Sequence, residues 1–192
     1  MNQVIATAVL TAATLLIFRR VRADYLTHGS LTPLSSFLEV LIFFLHGSAS
    51  YLFLDSQLAH VNTGSAAFVL SIVLIAVGLL AVLVPMSRLG FDTSVGQRVS
   101  GLEDSGLYRY TRNPQIVAYL MIVVGYALLW PSLAGALWSA VYVLIAHVMV
   151  RTEEEHLARV YGDDYRRYCE RTPRYIGIPR KPPSGDSPMD KR

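Results

Sequence analysis

The sequence predicts an all-α integral membrane protein. Five transmembrane helices form a bundle with the N-terminus outside and the C-terminus cytoplasmic, followed by an amphipathic C-terminal cytoplasmic helical segment. Three observations predict this. First, 53% of the 192 residues are hydrophobic and only 16% are charged, against about 25% charged in an ordinary soluble domain. Mean hydropathy is +0.39, and a soluble domain of this length has too little interior to hide so much apolar surface. Second, the apolar residues gather into stretches near the roughly 20 residues that a helix needs to cross hydrocarbon. Third, all 17 Lys and Arg fall on one side of such a bundle. Disorder is excluded by the apolar composition. Cys169 is the sole cysteine, which excludes an internal disulfide scaffold and cysteine-based zinc sites.

The first span, Gln3 to Phe18, is uncharged and followed by Arg19, Arg20 and Arg22. A signal peptide carries its positive charge before the apolar run, so a retained, reverse-oriented anchor is expected. The second span, Leu34 to Leu54, holds Glu39 and His46, seven residues apart and therefore on one helix face. Glu39 either serves function, as intramembrane ionisable groups often do, or snorkels and pairs with Arg19, Arg20 or Arg22. His46 reads as a neutral hydrogen-bonding residue between helices. The third span, Ala66 to Met86, carries no charge. The fourth, Gln115 to Trp130, and the fifth, Ser132 to Val150, are separated by Pro131, which breaks a continuous helix and suits a first helical turn. A tight antiparallel hairpin is expected there. Residues 1–178 thus form one membrane domain, and the Pro-rich stretch 179–192 reads as a disordered tail.

Charged chemistry is confined to two cytoplasmic segments, 87–113 and 151–178. In the first, Asn113 precedes Pro114 and is a good candidate cap for the fourth span, which holds Arg112 at that helix's cytoplasmic mouth. Arg109 and Arg112 read equally as anchors to lipid phosphate. The second segment opens with Glu153, Glu154 and Glu155 just beyond a membrane helix, where neither anionic headgroups nor the helix dipole favour acids. They are either a solvated helix face or part of a site. Leu157, Val160, Tyr161, Tyr165 and Tyr168 follow at helical spacing as one apolar and aromatic stripe, which also suits plain interfacial anchoring. Gly162 is expected to interrupt this helix and Asp163 or Asp164 to restart it as a cap, so that the next piece folds back over the helix mouths. His147 lies one turn before Arg151 and is a candidate substrate contact.

The ordered series Gly106-x-Tyr108-x-x-x-Arg112-Asn113-Pro114, a hydrophobic hairpin, Glu153-Glu154-x-x-Leu157-x-x-x-Tyr161-Gly162-x-x-Tyr165-x-x-Tyr168 and Pro173-Arg174-Tyr175 resembles the isoprenylcysteine carboxyl methyltransferase and phospholipid methyltransferase group of integral membrane enzymes. The resemblance covers roughly residues 101–178. It implies methyl transfer from S-adenosylmethionine to a lipophilic acceptor, a prenylated or lipid carboxylate, amine or hydroxyl, at the cytoplasmic membrane face. It implies that Arg112, Glu153 and Glu154 are catalytic. Tyr108, Arg112, Asn113, Pro114, Glu153, Glu154, Tyr165 and Tyr168 would hold the cofactor, and His147 and Arg174 the substrate. Asn113 stands where the isoprenylcysteine enzymes typically carry His, and Ile116 where they often carry Tyr. The Asn resembles bacterial members, which implies a bacterial inner (cytoplasmic) membrane. Asn can donate and accept hydrogen bonds but does not titrate near neutrality.

The chemistry is sound on elementary grounds. In-line methyl transfer needs alignment and exclusion of water, and no metal. A carboxylate suits the donor's cationic groups, and an arginine fork suits its carboxylate. An amine acceptor would need a base, for which a glutamate is nearest; a carboxylate acceptor would not. Two other readings fit the same residues: a non-enzymatic membrane scaffold or assembly protein, and an NADPH-dependent membrane reductase of the sterol-reductase type.

Overall fold

The computed structural model describes residues 2–54, 64–89, 102 and 105–180. Residues 55–63, most of the 90–104 stretch and those beyond 180, which include the expected outer loop and most of the expected tail, lie outside the described residues. Among those described there is no strand. Five α-helices follow in order: α1 Asn2–His28, α2 Pro33–Leu54, α3 Ala66–Leu89, α4 Pro114–Leu129 and α5 Leu133–Arg171, with a short 3-10 turn, Gly106–Arg109, before α4. Three helices are long and apolar enough to cross a membrane, within Asn2–His28, Pro33–Phe53 and Leu133–Arg171; Ala66–Val82 and Pro114–Leu129 are shorter apolar helices. Large hydrophobics such as Leu16, Phe37, Phe44, Leu80 and Val143 face outward. A bilayer, unlike water, leaves such a surface stable.

α1 is longer than the expected span. It continues through Arg19, Arg20 and Arg22 to His28, because Leu10, Thr14, Phe18, Val21 and Asp24 recur at helical spacing and stay buried past the arginines. It turns back on α2 through Asp24, whose Oδ2 accepts from Thr32 N at 3.1 Å and Thr32 Oγ1 at 2.5 Å. Gln3 Nε2 donates to Leu52 O at the far end, and Arg20 Nε donates to Ser35 Oγ near the turn. The two helices are therefore antiparallel.

α5 is the spine. One buried cluster joins its Val141 and Ile145 to Leu10, Phe18, Val21 and Ile42. A second joins Trp138, Tyr142, Ala146 and Val150 to Phe53, Ile116 and Val123. His46 is buried between α2 and α5, as an interhelical hydrogen-bonding residue: Nε2 donates to Trp138 O at 3.0 Å, Trp138 Nε1 donates to His46 O, and the rings stack 4.7 Å apart. The α4–α5 hairpin forms as expected, and Tyr142 Oη donates to Ile116 O across it. Ser132, where the fifth span was expected to begin, caps α5, its hydroxyl accepting from Gly135 N at 3.0 Å.

α3 packs chiefly on α4, through glycines. A Cβ at Gly125 would lie 2.7 Å from Ile75 Cγ1 and 2.9 Å from Ser71 O, and one at Gly78 would lie 2.7 Å from Ala118 O. Such small residues let helix backbones approach closely. Gly125→Ala is expected to lower the thermal unfolding midpoint in detergent, at a cost of about 1–3 kcal/mol for overpacking. An unchanged midpoint would contradict this close crossing.

From Leu133 to Gly162, α5 rises roughly 45 Å at about 1.5 Å per residue. That exceeds the ~30 Å hydrocarbon core, so the helix runs beyond the apolar region. Gly162 (φ 51°, ψ −118°) then breaks the regular backbone, a conformation that glycine adopts without steric cost. The rotation shifts the helical phase, so the expected stripe is not continuous: Val160 is exposed while Tyr165 and Tyr168 are buried. Asp163 and Asp164 pair with Arg166 and Arg167 three residues on. Past Thr172 the chain folds back as a strap. Arg180 N donates to Arg171 O at 2.9 Å, which closes this segment on the end of α5.

Candidate active site

The strap is zipped to the segment that leads into α4. Arg112 N donates to Pro173 O at 3.0 Å, Asn113 Nδ2 donates to Arg174 O at 2.9 Å, and Tyr168 Oη donates to Tyr108 O at 2.8 Å. Asn113 is buried and precedes α4, but its side chain makes no cap hydrogen bond. The strap carbonyl claims its amide donor instead. Asn113→Asp keeps the shape and removes that donor, leaving the Arg174 carbonyl without it. Loss of a buried partner costs about 1–3 kcal/mol, so faster tryptic cleavage at Arg171 and Arg174 is expected. Cleavage at the wild-type rate would contradict the latch.

The acidic triplet is not a solvated face. Successive helical residues point about 100° apart, and each carboxylate meets a different environment. Glu155 takes a two-pronged contact from Arg22, at 2.7 and 2.8 Å, and a second from Arg159. The Arg22 hydrogen bonds hold its carboxyl below the usual range. Glu154 lies between two guanidiniums. Its Oε1 is 3.1 Å from Arg112 Nη1, and Arg174 grips it with Nε at 3.0 Å and Nη2 at 2.7 Å. Arg112 also reaches the Tyr165 hydroxyl and the Cys169 thiol, and its charge lies 6.0 Å from the Tyr165 ring centre. Burial, and then Glu154, raise the Tyr165 phenol well above its ordinary value.

Glu153 faces inward, into a chamber at the mouths of α1, α2, α4 and α5. Tyr25, Glu39, Tyr108, Arg112, Asn113, Pro114, Gln115, Ile116 and Met149 line it with Glu153. The chamber and its open mouth together span about 470 Å³ of space, solvent at the mouth included. Burial, and then the neighbouring Glu154, push the Glu153 carboxyl up to about 7. Among the described residues, neither Glu153 nor Glu39 has a cationic partner. Glu39 does not pair with the α1 arginines, since Arg20 turns to Ser35 and Arg22 to Glu155. Tyr25 stacks on His156, with ring centres 3.9 Å apart and planes 9° from parallel. Burial, and then Arg159, lower the His156 pKa, which favours the neutral ring.

Tyr108, Arg112, Asn113, Pro114 and Glu153 therefore meet in one chamber. Glu154, Tyr165 and Arg174 stand behind its Arg112 wall, and Tyr168 holds the strap. His147 is exposed on α5 and lines no part of the chamber. Tyr25 and Met149 were missed as site residues. For Tyr25 a signal exists: it continues the buried α1 face of Phe18 and Val21 beyond the arginines, past the end of the expected membrane span.

Neither a curated protein nor a solved structure matches the chain. The model of one family, phospholipid methyltransferase, matches residues 66–164. That match takes in α3, α4, the chamber's Arg112 and the whole acidic triplet, and covers just over half of the sequence. The chain belongs to the phospholipid methyltransferase family.

Proposed function

We propose that this protein transfers a methyl group from S-adenosylmethionine to a lipophilic acceptor reaching it from the bilayer, in the chamber at the helix mouths. The observation that carries this reading is the grouping of Glu153 and Glu39, two carboxylates without a cationic partner among the described residues, with Arg112, whose Nε is buried and has no hydrogen-bond partner among them. That donor set fits a ligand bearing two cationic groups and one carboxylate. When bound, S-adenosylmethionine supplies an electrophilic methyl on a sulfonium. Glu153 and Glu39 would hold its cationic groups and Arg112 its carboxylate, with Tyr108, Asn113 and Pro114 as walls. Glu154 fixes Arg112 and, through Arg174, the strap. Tyr165 and Tyr168 keep the strap packed and water out. With its carboxyl near 7, Glu153 can hold or accept a proton at physiological pH, as an amine acceptor requires.

The one-sided arginines support five spans, an outside N-terminus and a site on the cytoplasmic face. Met149 and Ile116 line the chamber where α4 and α5 enter the apolar layer, which suits an acceptor arriving sideways. The test is transfer from methyl-labelled S-adenosylmethionine by purified protein in nanodiscs. Label is expected in solvent-extractable product. Label entering water-soluble acceptors alone would contradict a membrane acceptor, and no transfer in any lipid extract would contradict the activity.

A further inference from the structure

Residues 66–164 do not build the chamber alone. Two of its lining residues, Tyr25 and Glu39, come from α1 and α2. Contacts to consecutive residues of α5 hold Tyr25 there. Arg22, one turn before it, grips Glu155 at 2.7 and 2.8 Å. The Tyr25 ring lies flat on His156, with ring centres 3.9 Å apart and planes 9° from parallel. Next to it in sequence, Asp24 binds Thr32 N at 3.1 Å and closes the turn into α2. A tyrosine at the end of a membrane helix usually sits in the headgroup layer; this one is fixed against the site. His156 is 6% exposed and lies one turn past Glu153 on α5, yet lines no part of the chamber. Burial, and then Arg159, lower its pKa, so the ring stacked on Tyr25 is neutral and adds no positive charge beside the two carboxylates.

We propose that Tyr25 binds the sulfonium of the methyl donor with an aromatic face, and that His156 is the positioning residue that holds this face toward the chamber. This role rests on the methyl-donor reading and deepens it. A cation above a tyrosine ring is attracted to its π electrons, most strongly where water is excluded. Glu153 and Glu39, in the same chamber, draw the cation there. With His156 on one face of the ring, the opposite face is the one that meets the ligand. The carboxylates alone attract any cation, a primary ammonium included. An aromatic face adds a preference for alkylated cations. Tyr25 thereby separates the charged donor from its neutral thioether product, which carries the same amino and carboxylate groups and would otherwise compete on equal terms for their contacts.

The test is calorimetric binding of S-adenosylmethionine and of S-adenosylhomocysteine, which lacks the methyl and the charge, to full-length protein in detergent. Wild type is expected to prefer the sulfonium. In Tyr25→Leu that preference should fall about fivefold or more, through weaker binding of S-adenosylmethionine, with S-adenosylhomocysteine bound as in wild type. Tyr25→Phe keeps the ring and should keep the preference. His156→Leu, outside the chamber, should reproduce the selective loss, and His156→Phe, which restores a flat ring, should reverse it. A role in packing alone would instead lower the unfolding midpoint and weaken both ligands together. If Tyr25→Leu does not fold, the two His156 variants carry the same comparison. No preference in wild type, an unchanged preference in Tyr25→Leu or His156→Leu, or equal loss of both ligands would overturn these roles and leave the methyl-donor reading in place. A folded wild type that binds neither ligand would overturn both.

Discussion

Glu154→Gln is expected to lower methyl transfer at least 100-fold while the protein still inserts and folds. One carboxylate holds two guanidiniums, with Arg112 Nη1 at 3.1 Å and Arg174 Nη2 at 2.7 Å. Arg112 and Glu154 are nearly buried, with side chains 11% and 13% exposed. The neutral amide would leave Arg112 facing Arg174 with no charge between them. Removing one partner of a fully buried pair costs about 3–5 kcal/mol. Arg174 is 40% exposed and partly solvated, so a cost of about 2 kcal/mol is expected here. The larger effect is on position. Arg112 forms the wall of the chamber, and a displacement of about 1 Å in a reacting site can cost on the order of 100-fold in rate. Arg174→Gln should be milder, because the Arg112–Glu154 contact survives it. The check is turnover together with the unfolding midpoint; equal losses in the two variants would contradict Glu154 as the shared anchor.

Glu153→Gln is expected to abolish turnover of an amine acceptor and, at pH 8, to raise stability. The folded protein holds this carboxyl at about 7, above its ordinary 4.5, through burial and then the charge of Glu154. A raised carboxyl binds its proton more tightly in the folded state than in the unfolded one. Its stabilising effect is complete below about 4.5 and is lost as pH rises toward about 7. The glutamine variant lacks that loss, so its unfolding midpoint should exceed the wild type's at pH 8 and match it near pH 4.5. Activity should move oppositely. A base must be ionised, so wild-type kcat/KM should climb through about pH 7 and then level. A flat profile from pH 6 to 8 would remove Glu153 from proton transfer. A lower midpoint for the variant at pH 8 would contradict burial as the cause that raises this carboxyl.

Much of this was legible in residue order. The helical class, the hairpin around Pro131 and the break at Gly162 followed from apolar period, chain breakers and charge placement. His46 between helices followed from its chemistry alone. What escaped the sequence is what depends on rotation and depth. Three adjacent glutamates read as one acidic patch, yet the helix turns them to an arginine on α1, a two-arginine clamp and a shielded chamber. Asn113 reads locally as a cap, but a carbonyl 61 residues away takes its donor. Glu39 and Tyr25 sit on different helices from the motif residues, and no spacing along the chain reveals that they share a chamber with Glu153. His147 lies outside the chamber for the same reason: one turn from Arg151 places it near the site in height, on the exposed side of α5.

The most direct measurement is calorimetric binding of S-adenosylmethionine to detergent-purified full-length protein, with NADPH as the comparison ligand. Saturable binding at one site is expected, weakened at least tenfold by Glu154→Gln and by Glu153→Gln, with no binding of NADPH. A folded preparation that bound NADPH alone, or neither ligand, would contradict the chamber as a methyl-donor site.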